Sequence, residues 1–169
     1  MELIMEREMP VKQENDELNI TRVCFVCTGN TCRSPMAEAV ANALAKECGR
    51  TDLRAFSAGL YANENESIAQ NAVAALEAAG VTAVAGRDYH RHLAHTLNET
   101  EAKEYDLLIG MTAGHAMELM MRFPSMAEKI ACMPTSISDP YGGDKERYRE
   151  CLAQIAQGVR AMLFTEDTQ

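Results

Sequence analysis

One stretch decides the fold of this chain: Val23-Cys24-Phe25-Val26-Cys27-Thr28-Gly29-Asn30-Thr31-Cys32-Arg33-Ser34-Pro35-Met36-Ala37-Glu38-Ala39. Its first four residues are apolar and rich in β-branched or aromatic side chains, which is typical of a strand covered on both faces. A polar loop begins at Cys27. Ser34 and Pro35, followed by an acid in the first turn, then indicate the start of a helix. The stretch therefore predicts a strand, a tight loop and a helix, in that order.

The predicted loop has the features of an anion-binding site. Gly29 can adopt a positive φ, and Asn30 tolerates the left-handed region better than most residues, so several backbone N–H groups can point at one centre. The positive end of the following helix would face the same centre, and the Arg33 guanidinium can bind two phosphate oxygens at once. We therefore expect this loop to bind phosphate.

Cys27 stands at the mouth of this predicted loop, where the field favours a thiolate. The pattern is a cysteine, five residues, an arginine and then a serine, and the Ser34 hydroxyl could donate a hydrogen bond to the sulfur. Cys27 is therefore a candidate nucleophile for attack on phosphorus. The alternative is a buried cysteine and a surface arginine in an ordinary turn. The strand, loop and helix context favours the nucleophile.

Length and charge limit the classes of protein that fit. A chain of 169 residues is long enough for one domain with a substantial core, which we expect over residues 20–169. Residues 1–19 are acidic and lack periodicity, which predicts a mobile or loosely helical extension. The net charge of −9 argues against nucleic acid or an anionic membrane as a partner. With no apolar run of membrane-span length, the protein is expected to be soluble and cytoplasmic.

The six cysteines have irregular spacing, and no signal peptide precedes them, so a disulfide framework is not expected. Cys27 and Cys32 bracket the loop, and their sulfurs could come close enough to bridge. The others are interpreted as small core residues: Cys24, Cys48, Cys132 and Cys151. A zinc site is less favoured, because no Cys or His pair elsewhere completes four ligands at familiar spacing. We expect no metal and no cofactor.

Strand and helix patterns alternate along the rest of the chain. We predict strands over 20–26, 53–57, 105–111 and 129–133, and helices over 35–48, 67–79, 98–103, 112–121 and 145–164. Ser67 and Thr112 are the predicted caps of the second and fourth of these helices. This alternation indicates an α/β fold of three layers, with a four-stranded parallel sheet flanked by helices. Active residues in such sheets gather at the carboxyl ends of strands, where Cys27, Ser57 and the loop after Met133 are expected. That loop contains Asp139, a candidate general acid, although Asp-Pro is also a common turn.

These motifs carry a resemblance to a known family. The phosphate loop of the low-molecular-weight protein tyrosine phosphatases resembles this stretch of the chain: Val26-Cys27-Thr28-Gly29-Asn30-Thr31-Cys32-Arg33-Ser34-Pro35-Met36-Ala37-Glu38. The family's Asp-Pro motif is present as Asp139-Pro140-Tyr141, and the resemblance spans residues 20–165. It implies the flavodoxin-like fold of these phosphatases and a catalytic set of Cys27, Arg33 and Asp139. The implied substrate-binding residues are Thr28, Gly29, Asn30, Thr31, Cys32, Ser34 and Tyr141.

The implied mechanism is metal-free and passes through a phosphocysteine intermediate. The Cys27 thiolate attacks the phosphorus of a phosphomonoester or phosphoramidate, while the loop amides and Arg33 hold the equatorial oxygens. Asp139 protonates the leaving atom and then serves as base for the water that releases inorganic phosphate. The expected partners are phosphorylated protein substrates, with inorganic phosphate as product and inhibitor.

The resemblance also implies two supporting residues. Ser57 would hold the phosphate loop by a hydrogen bond, although a serine at a strand end is also ordinary. A histidine of the family braces the Asn of the loop, and in the segment Asp88-Tyr89-His90-Arg91-His92-Leu93 the best match is His90, with His92 as the alternative. A surface histidine is the other interpretation of either residue.

The substrate class depends on Thr31 and on the residues after Asp139. Tyrosine-directed members usually have an apolar residue, commonly Ile, at the position of Thr31. Arginine-directed members have threonine there and continue Asp-Pro-aromatic-Gly-Gly, which Asp139-Pro140-Tyr141-Gly142-Gly143 resembles. Thr31 offers less apolar surface for contact with a phenyl ring than Ile would. Tyr141 can stack on either leaving group. Phosphoarginine is therefore slightly preferred, with phosphotyrosine a close second.

Two other functions stay open. An arsenate reductase of the same fold needs two further cysteines on a nearby segment, and residues 84–105 contain none. A non-catalytic module that binds phosphate or phosphoproteins would keep the loop but have no use for a proton donor. Replacing Cys27 with Ser separates this last case, because a binding module would be little changed.

Overall fold

The structure is a computed structural model that describes residues 20–165. The predicted extension over residues 1–19 lies outside the described residues. In chain order the elements are β1 (Arg22–Cys27), α1 (Arg33–Glu47), β2 (Arg54–Gly59), α2 (Gln70–Ala78), α3 (Glu99–Ala102), β3 (Leu107–Gly110), α4 (Ala113–Arg122), β4 (Ile130–Cys132) and α5 (Lys145–Leu163). Short 3-10 helices lie at Tyr89–Arg91 and Pro124–Lys129. No helix within the described range is long and apolar enough to cross a membrane.

A parallel sheet forms the middle layer, with strand order β2-β1-β3-β4. Strands covered on both faces carry apolar side chains throughout, and the residues from Val23 to Val26 are all fully buried. Val23 and Phe25 belong to a core that includes side chains of α1, α2 and α5, whereas Cys24 and Val26 belong to a second core with α4. The predicted three-layer fold, with four parallel strands flanked by helices, is confirmed.

The start of α1 differs from the prediction in a way that shapes the site. The helix begins at Arg33, two residues before the predicted start at residue 35, and β1 runs one residue further than predicted, to Cys27. The Ser34 hydroxyl does not cap the helix, because it lies 3.0 Å from the Cys27 sulfur. Glu38, predicted as an acid of the first turn, lies beyond it and is buried. Ser34 and Glu38 therefore contact the loop or a residue that supports it, instead of the N-terminus of α1.

The prediction that Ser67 caps α2 is wrong. The N-cap of that helix is Ala69, whose backbone N–H donates to the Thr31 carbonyl at 2.9 Å. This contact keeps the chain before α2 extended along the phosphate loop, so the helix starts later than its sequence suggests. The predicted cap of α4 by Thr112 is confirmed, because its hydroxyl accepts from the His115 N–H at 3.1 Å.

The cysteines divide by their place in the fold. Cys24 and Cys151 are buried, as predicted for small core residues. The same prediction is wrong for Cys48 and Cys132, which are exposed because one follows the last turn of α1 and the other ends the edge strand β4. Cys24, Cys27, Cys32 and Cys151 are free thiols.

Candidate active site

The loop between β1 and α1 folds around the Cys27 sulfur. Asn30 supplies the reversal, because it adopts the left-handed conformation with φ 61° and its backbone N–H donates to the sulfur at 3.3 Å. The prediction that Gly29 supplies a positive φ is wrong, since Gly29 does not adopt one. A short polar side chain that can hydrogen-bond locally reduces the cost of this conformation, and Asn30 is completely buried among such partners.

The Ser34 hydroxyl lies 3.0 Å from the Cys27 sulfur and is directed toward it by Asn30. The amide Nδ2 of Asn30 donates to Ser34 Oγ at 2.9 Å, so the serine oxygen already accepts one hydrogen bond. Its own hydrogen needs an acceptor, and the other acceptor in reach, the Ala58 carbonyl, is at 3.5 Å. The geometry therefore makes Ser34 a donor to Cys27, which is the arrangement that a thiolate nucleophile requires.

The orientation of the Asn30 side chain follows from its other contacts. Its Oδ1 accepts from the backbone N–H of His95 at 3.1 Å, and a backbone N–H can only donate. Both hydrogens of Nδ2 are therefore available, one for Ser34 and one for Ser57 Oγ at 3.1 Å. Ser57 in turn donates to Glu38 Oε1 at 2.7 Å. Ser57 thus contacts the loop directly, and we call Asn30, Ser34, Ser57 and Glu38 the brace.

The far end of the brace is an ion pair that sequence reasoning missed. Arg87 places Nη2 2.7 Å and Nε 2.9 Å from Glu38 Oε2, and its guanidinium lies 4.6 Å from the centre of the Phe56 ring. The Glu38 side chain is only 9% exposed, and burial of a carboxylate is costly unless the group is paired and hydrogen-bonded. Glu38 follows Ser34 by one helical turn, which was an available signal for its position. Nothing in the irregular segment around Arg87 indicated its role.

The prediction that His90 braces the loop Asn is wrong, and the alternative, His92, makes that contact. Nε2 of His92 lies 2.8 Å from the Asn30 carbonyl, so this nitrogen carries the proton. Burial lowers the pKa of His92, which keeps the ring neutral at neutral pH. The His90 ring instead contacts Glu77 and Asp88 at the surface, and these hydrogen bonds raise its pKa. His90 lies within the 3-10 turn Tyr89–Arg91 at the surface, whereas His92 directly follows the turn and directs its ring toward the loop.

A buried histidine of α4 holds the first part of the loop. His115 Nε2 lies 3.0 Å from Thr28 Oγ1, and its Nδ1 lies 3.0 Å from Thr112 Oγ1. Burial and the nearby Arg33 guanidinium lower the pKa of His115 to about 4, so the ring is neutral under ordinary conditions. No role was predicted for His115 from the sequence. Its position three residues after the helix cap Thr112 was the available signal.

The structure brings Arg33 and Asp139 together although they are far apart in sequence. Arg33 is 7% exposed, and its Nη1 donates to the Ile137 carbonyl at 3.0 Å. Its Nη2 lies 3.6 Å from Asp139 Oδ2, while Oδ1 of the same carboxylate accepts from the Tyr141 N–H at 3.1 Å. The loop after β4 is therefore joined to the phosphate loop through Arg33. The proposed acid, the arginine and the nucleophile border one cavity.

This cavity has a volume of about 220 Å³ and opens to solvent above the phosphate loop. All predicted catalytic and substrate-binding residues line it except Ser34, which lies beneath: Cys27, Thr28, Gly29, Asn30, Thr31, Cys32, Arg33, Asp139 and Tyr141. Asn63 and Glu66 also line it and were not predicted. We call Asn63, Glu66, Asp139 and Tyr141 the rim. A second cavity of about 590 Å³ lies on the other side of the brace, bordered by Arg87 and His92.

The second cysteine of the loop, Cys32, contacts a tyrosine of α5. Cys32 Sγ lies 3.2 Å from the Tyr148 hydroxyl of α5, and burial raises the pKa of this thiol. Cys27 and Cys32 are both free thiols, and a bridge between them stays a prediction. Among residues 20–165 no cluster of three or more His, Cys, Asp or Glu side chains is arranged to hold a metal ion.

Residues 22–168 match the family model described as low molecular weight phosphotyrosine protein phosphatase. The chain belongs to this family. The resemblance seen in the phosphate loop is thereby confirmed, together with the assignment of the chain to an enzyme class, the low-molecular-weight protein phosphatases.

Relatives within this phosphatase family carry two kinds of name. The protein-arginine-phosphatase of Bacillus subtilis is 29% identical over 147 residues, which cover 83% of this chain and 93% of that protein. The crystal structure of the low molecular weight protein tyrosine phosphatase from T. tengcongensis has a TM-score of 0.77 and 34% identity, covering 86% of this chain and 99% of that one. A structure of the YwlE arginine phosphatase with a phosphorylated active-site serine, in a cysteine-to-serine mutant, has a TM-score of 0.78 and 26% identity, covering 88% and 97%.

Proposed function

We propose that this chain hydrolyses phosphorylated protein side chains through a phosphocysteine intermediate, with phosphoarginine preferred over phosphotyrosine. The observation that carries the proposal is the Cys27 sulfur, which receives the Ser34 hydroxyl at 3.0 Å and the Asn30 N–H at 3.3 Å beneath a cavity that Arg33 and Asp139 share. We assign the activity to one domain over residues 20–169. Its cytoplasmic location stays a prediction of the sequence.

In the first step, the Cys27 thiolate attacks phosphorus. An S–P bond forms, and the bond from phosphorus to the leaving nitrogen or oxygen breaks, while Asp139 delivers a proton to that atom. Arg33 and the loop N–H groups hold the three phosphoryl oxygens as charge shifts. The contact of 3.6 Å between Arg33 and Asp139 supports this assignment, because it puts the proton donor beside the group that binds the oxygens.

In the second step, water attacks the phosphocysteine. The carboxylate of Asp139, deprotonated by the first step, takes a proton from the water, and inorganic phosphate leaves as the S–P bond breaks. Phosphate fits the same loop as the substrate and is therefore an inhibitor as well as a product. The phosphorylated serine in the mutant YwlE arginine phosphatase supports transfer of the phosphoryl group to the residue at this position.

The preference for phosphoarginine is supported by Thr31, which lines the cavity where a larger apolar side chain would favour a phenyl ring. Tyr141 is 75% exposed at the rim, where its ring can stack on a planar guanidinium or a phenol. The name of the Bacillus subtilis relative, a protein-arginine-phosphatase, points the same way.

The test compares two peptides of one sequence, carrying either phosphoarginine or phosphotyrosine, with wild type, Cys27→Ser and Thr31→Ile. Wild type should release phosphate from both, with the higher kcat/KM for phosphoarginine. Cys27→Ser should lose turnover but retain phosphate binding, and Thr31→Ile should shift the ratio toward phosphotyrosine. A Cys27→Ser variant with unchanged turnover would refute the proposal. A wild type that binds phosphate but turns over neither peptide would favour the binding module.

The arsenate reductase alternative finds no specific support. That chemistry needs two further cysteines on a segment near the loop, and residues 84–105, which include the loop-bracing His92, contain none.

A further inference from the structure

The chain between β2 and α2 lies against the phosphate loop along much of its length. The backbone N–H of Leu60 donates to the Cys27 carbonyl, that of Tyr61 to the Thr28 carbonyl, and that of Ala69 to the Thr31 carbonyl, each at 2.9 Å. Backbone hydrogen bonds at both ends of the 60–69 segment fix its distance from the loop. Any side chain of this segment that points into the cavity is therefore held at a fixed distance from the phosphate loop, where the phosphoryl group of a substrate would bind.

The tip of the 60–69 segment is held from its outer side as well. Asn65 adopts a left-handed conformation with φ 68°, and its N–H donates to the Ala94 carbonyl at 2.8 Å. The Ala94 N–H donates back to the Glu66 carbonyl, also at 2.8 Å. Within the tip, Asn63 Nδ2 lies 3.4 Å from Glu66 Oε1. These contacts place Asn63 and Glu66 on the cavity wall without any helix or strand.

Glu66 is an unexpected residue at this place. The cavity is built for an anion, with Arg33 and the start of α1 at its floor, and a carboxylate on its wall repels a phosphoryl dianion. Asp139 lies beside Arg33, but among residues 20–165 no lysine, arginine or histidine forms an ion pair with Glu66. The net charge of −9 adds to the repulsion. The carboxylate is therefore available to a cation that arrives with the substrate.

We infer that Glu66 is a specificity-determining residue, whose carboxylate selects substrates in which a cationic group is bonded directly to the phosphoryl group. This inference rests on the proposed function and narrows its substrate class. A phosphorylated guanidinium retains positive charge beside the phosphoryl group, and the arginine that leaves is a cation. The phenol of phosphotyrosine instead develops negative charge as it leaves. A carboxylate on the wall stabilises the cationic arginine that leaves from phosphoarginine and repels the negative charge that develops on the phenol of phosphotyrosine. It therefore changes the difference in free energy between the two transition states.

The experiment measures kcat/KM for matched phosphoarginine and phosphotyrosine peptides with Glu66→Gln, which keeps the side-chain length and removes the charge. We expect kcat/KM to fall about 5-fold for phosphoarginine and to rise about 2-fold for phosphotyrosine, as suits an exposed carboxylate in water. The ratio of the two values should therefore drop about 10-fold, and the drop should shrink at high ionic strength.

The matched control is Glu64→Gln, two residues away. It removes the same charge, but Glu64 does not line the cavity and accepts instead from the Thr96 N–H at 2.8 Å, which a glutamine oxygen can also do. Glu64→Gln should leave the ratio at the wild-type value. An unchanged ratio in Glu66→Gln, or an equal change in both variants, would overturn the inference while the proposed function stands. Loss of the proposed function itself would appear differently, as a wild type that turns over neither peptide.

Discussion

The brace beneath the Cys27 loop and the rim above it are built in opposite ways. Every side chain of the brace is buried, and each is joined to the next by hydrogen bonds of 2.7 to 3.1 Å that end in the Glu38 and Arg87 ion pair. Throughout residues 20–165 no buried side-chain N or O atom lacks a hydrogen-bond partner. The rim is exposed and makes few contacts, with Tyr141 75% exposed.

This difference indicates that the brace and the rim have separate roles. A preorganised phosphate loop stabilises charge during phosphoryl transfer without rearranging. To stay in place, it needs a buried network in which every hydrogen-bonding group has a partner. A rim that is exposed can change residue by residue without loss of fold, and it meets the part of the substrate that varies. Changes in the brace should therefore lower both stability and turnover. Changes at Asn63, Glu66 or Tyr141 of the rim should alter only the choice or affinity of substrate, whereas Asp139 is the proposed acid and its loss should lower turnover.

The largest effect is expected for Asn30→Ala, which removes all the side-chain hydrogen bonds of Asn30 and leaves a strained backbone. We expect kcat to fall about 100-fold and the free energy of unfolding to fall by about 3 kcal/mol. Turnover of a phosphopeptide and urea denaturation measure the two quantities. Asn30→Gly separates the causes, because it relieves the left-handed strain, worth about 1 kcal/mol, but not the loss of the amide. A variant with normal kcat would contradict the role of the brace.

The ion pair at the far end of the brace should matter less but in the same direction. Glu38→Gln leaves Arg87 without its counter-charge and weakens the hold on Ser57, so we expect about 2 kcal/mol lower stability and about 10-fold lower kcat. Arg87→Gln and the double variant complete a cycle by urea denaturation and kinetics. The effects of the two single changes should overlap, and strict additivity would show that Glu38 and Arg87 act independently.

The third prediction concerns acid stability and the loop contact of His115. Its folded pKa of about 4 lies below its usual value of 6.5, so the unfolded chain binds the proton more readily. The stability that His115 contributes is complete above the unfolded pKa and is lost as the pH falls from 6.5 toward 4, by about 2 kcal/mol at pH 5. Urea denaturation at pH 7.5 and 5 should show a smaller loss for His115→Gln than for wild type. Equal losses would mean that His115 does not titrate in this way.

The smallest effect on the protein itself is expected at the rim. Tyr141→Ala removes an exposed ring that is free to stack on the leaving group, so KM should rise about 5-fold through the loss of one stacking contact. The melting temperature should stay within the error of the wild-type value, because the ring packs against little. A marked fall in melting temperature would show that the rim also supports the fold, which would remove the contrast with the brace.

Local sequence patterns were enough to predict the elements that carry the chemistry. The buried strand, the Cys27 loop, the left-handed tolerance of Asn30 and the donor role of Ser34 all follow from neighbouring residues, and so does the alternation that builds the parallel sheet. These features depend on backbone preference and on the periodicity of apolar side chains, which are properties of a short window of chain. Backbone preference alone does not say which of two permissive neighbours will adopt the left-handed conformation, and in the loop Asn30 adopts it while Gly29 does not.

The sequence by itself therefore determined the nucleophile, the arginine and the acid as candidates, and the family to which they belong. Only the tertiary structure decided that His92 and not His90 meets the loop, that Glu38 is joined to Arg87, that His115 holds Thr28, and that Glu66 reaches the cavity. Each of these contacts joins segments far apart in the chain. Their geometry depends on how the sheet and helices pack around the loop, and no local window of sequence contains that information.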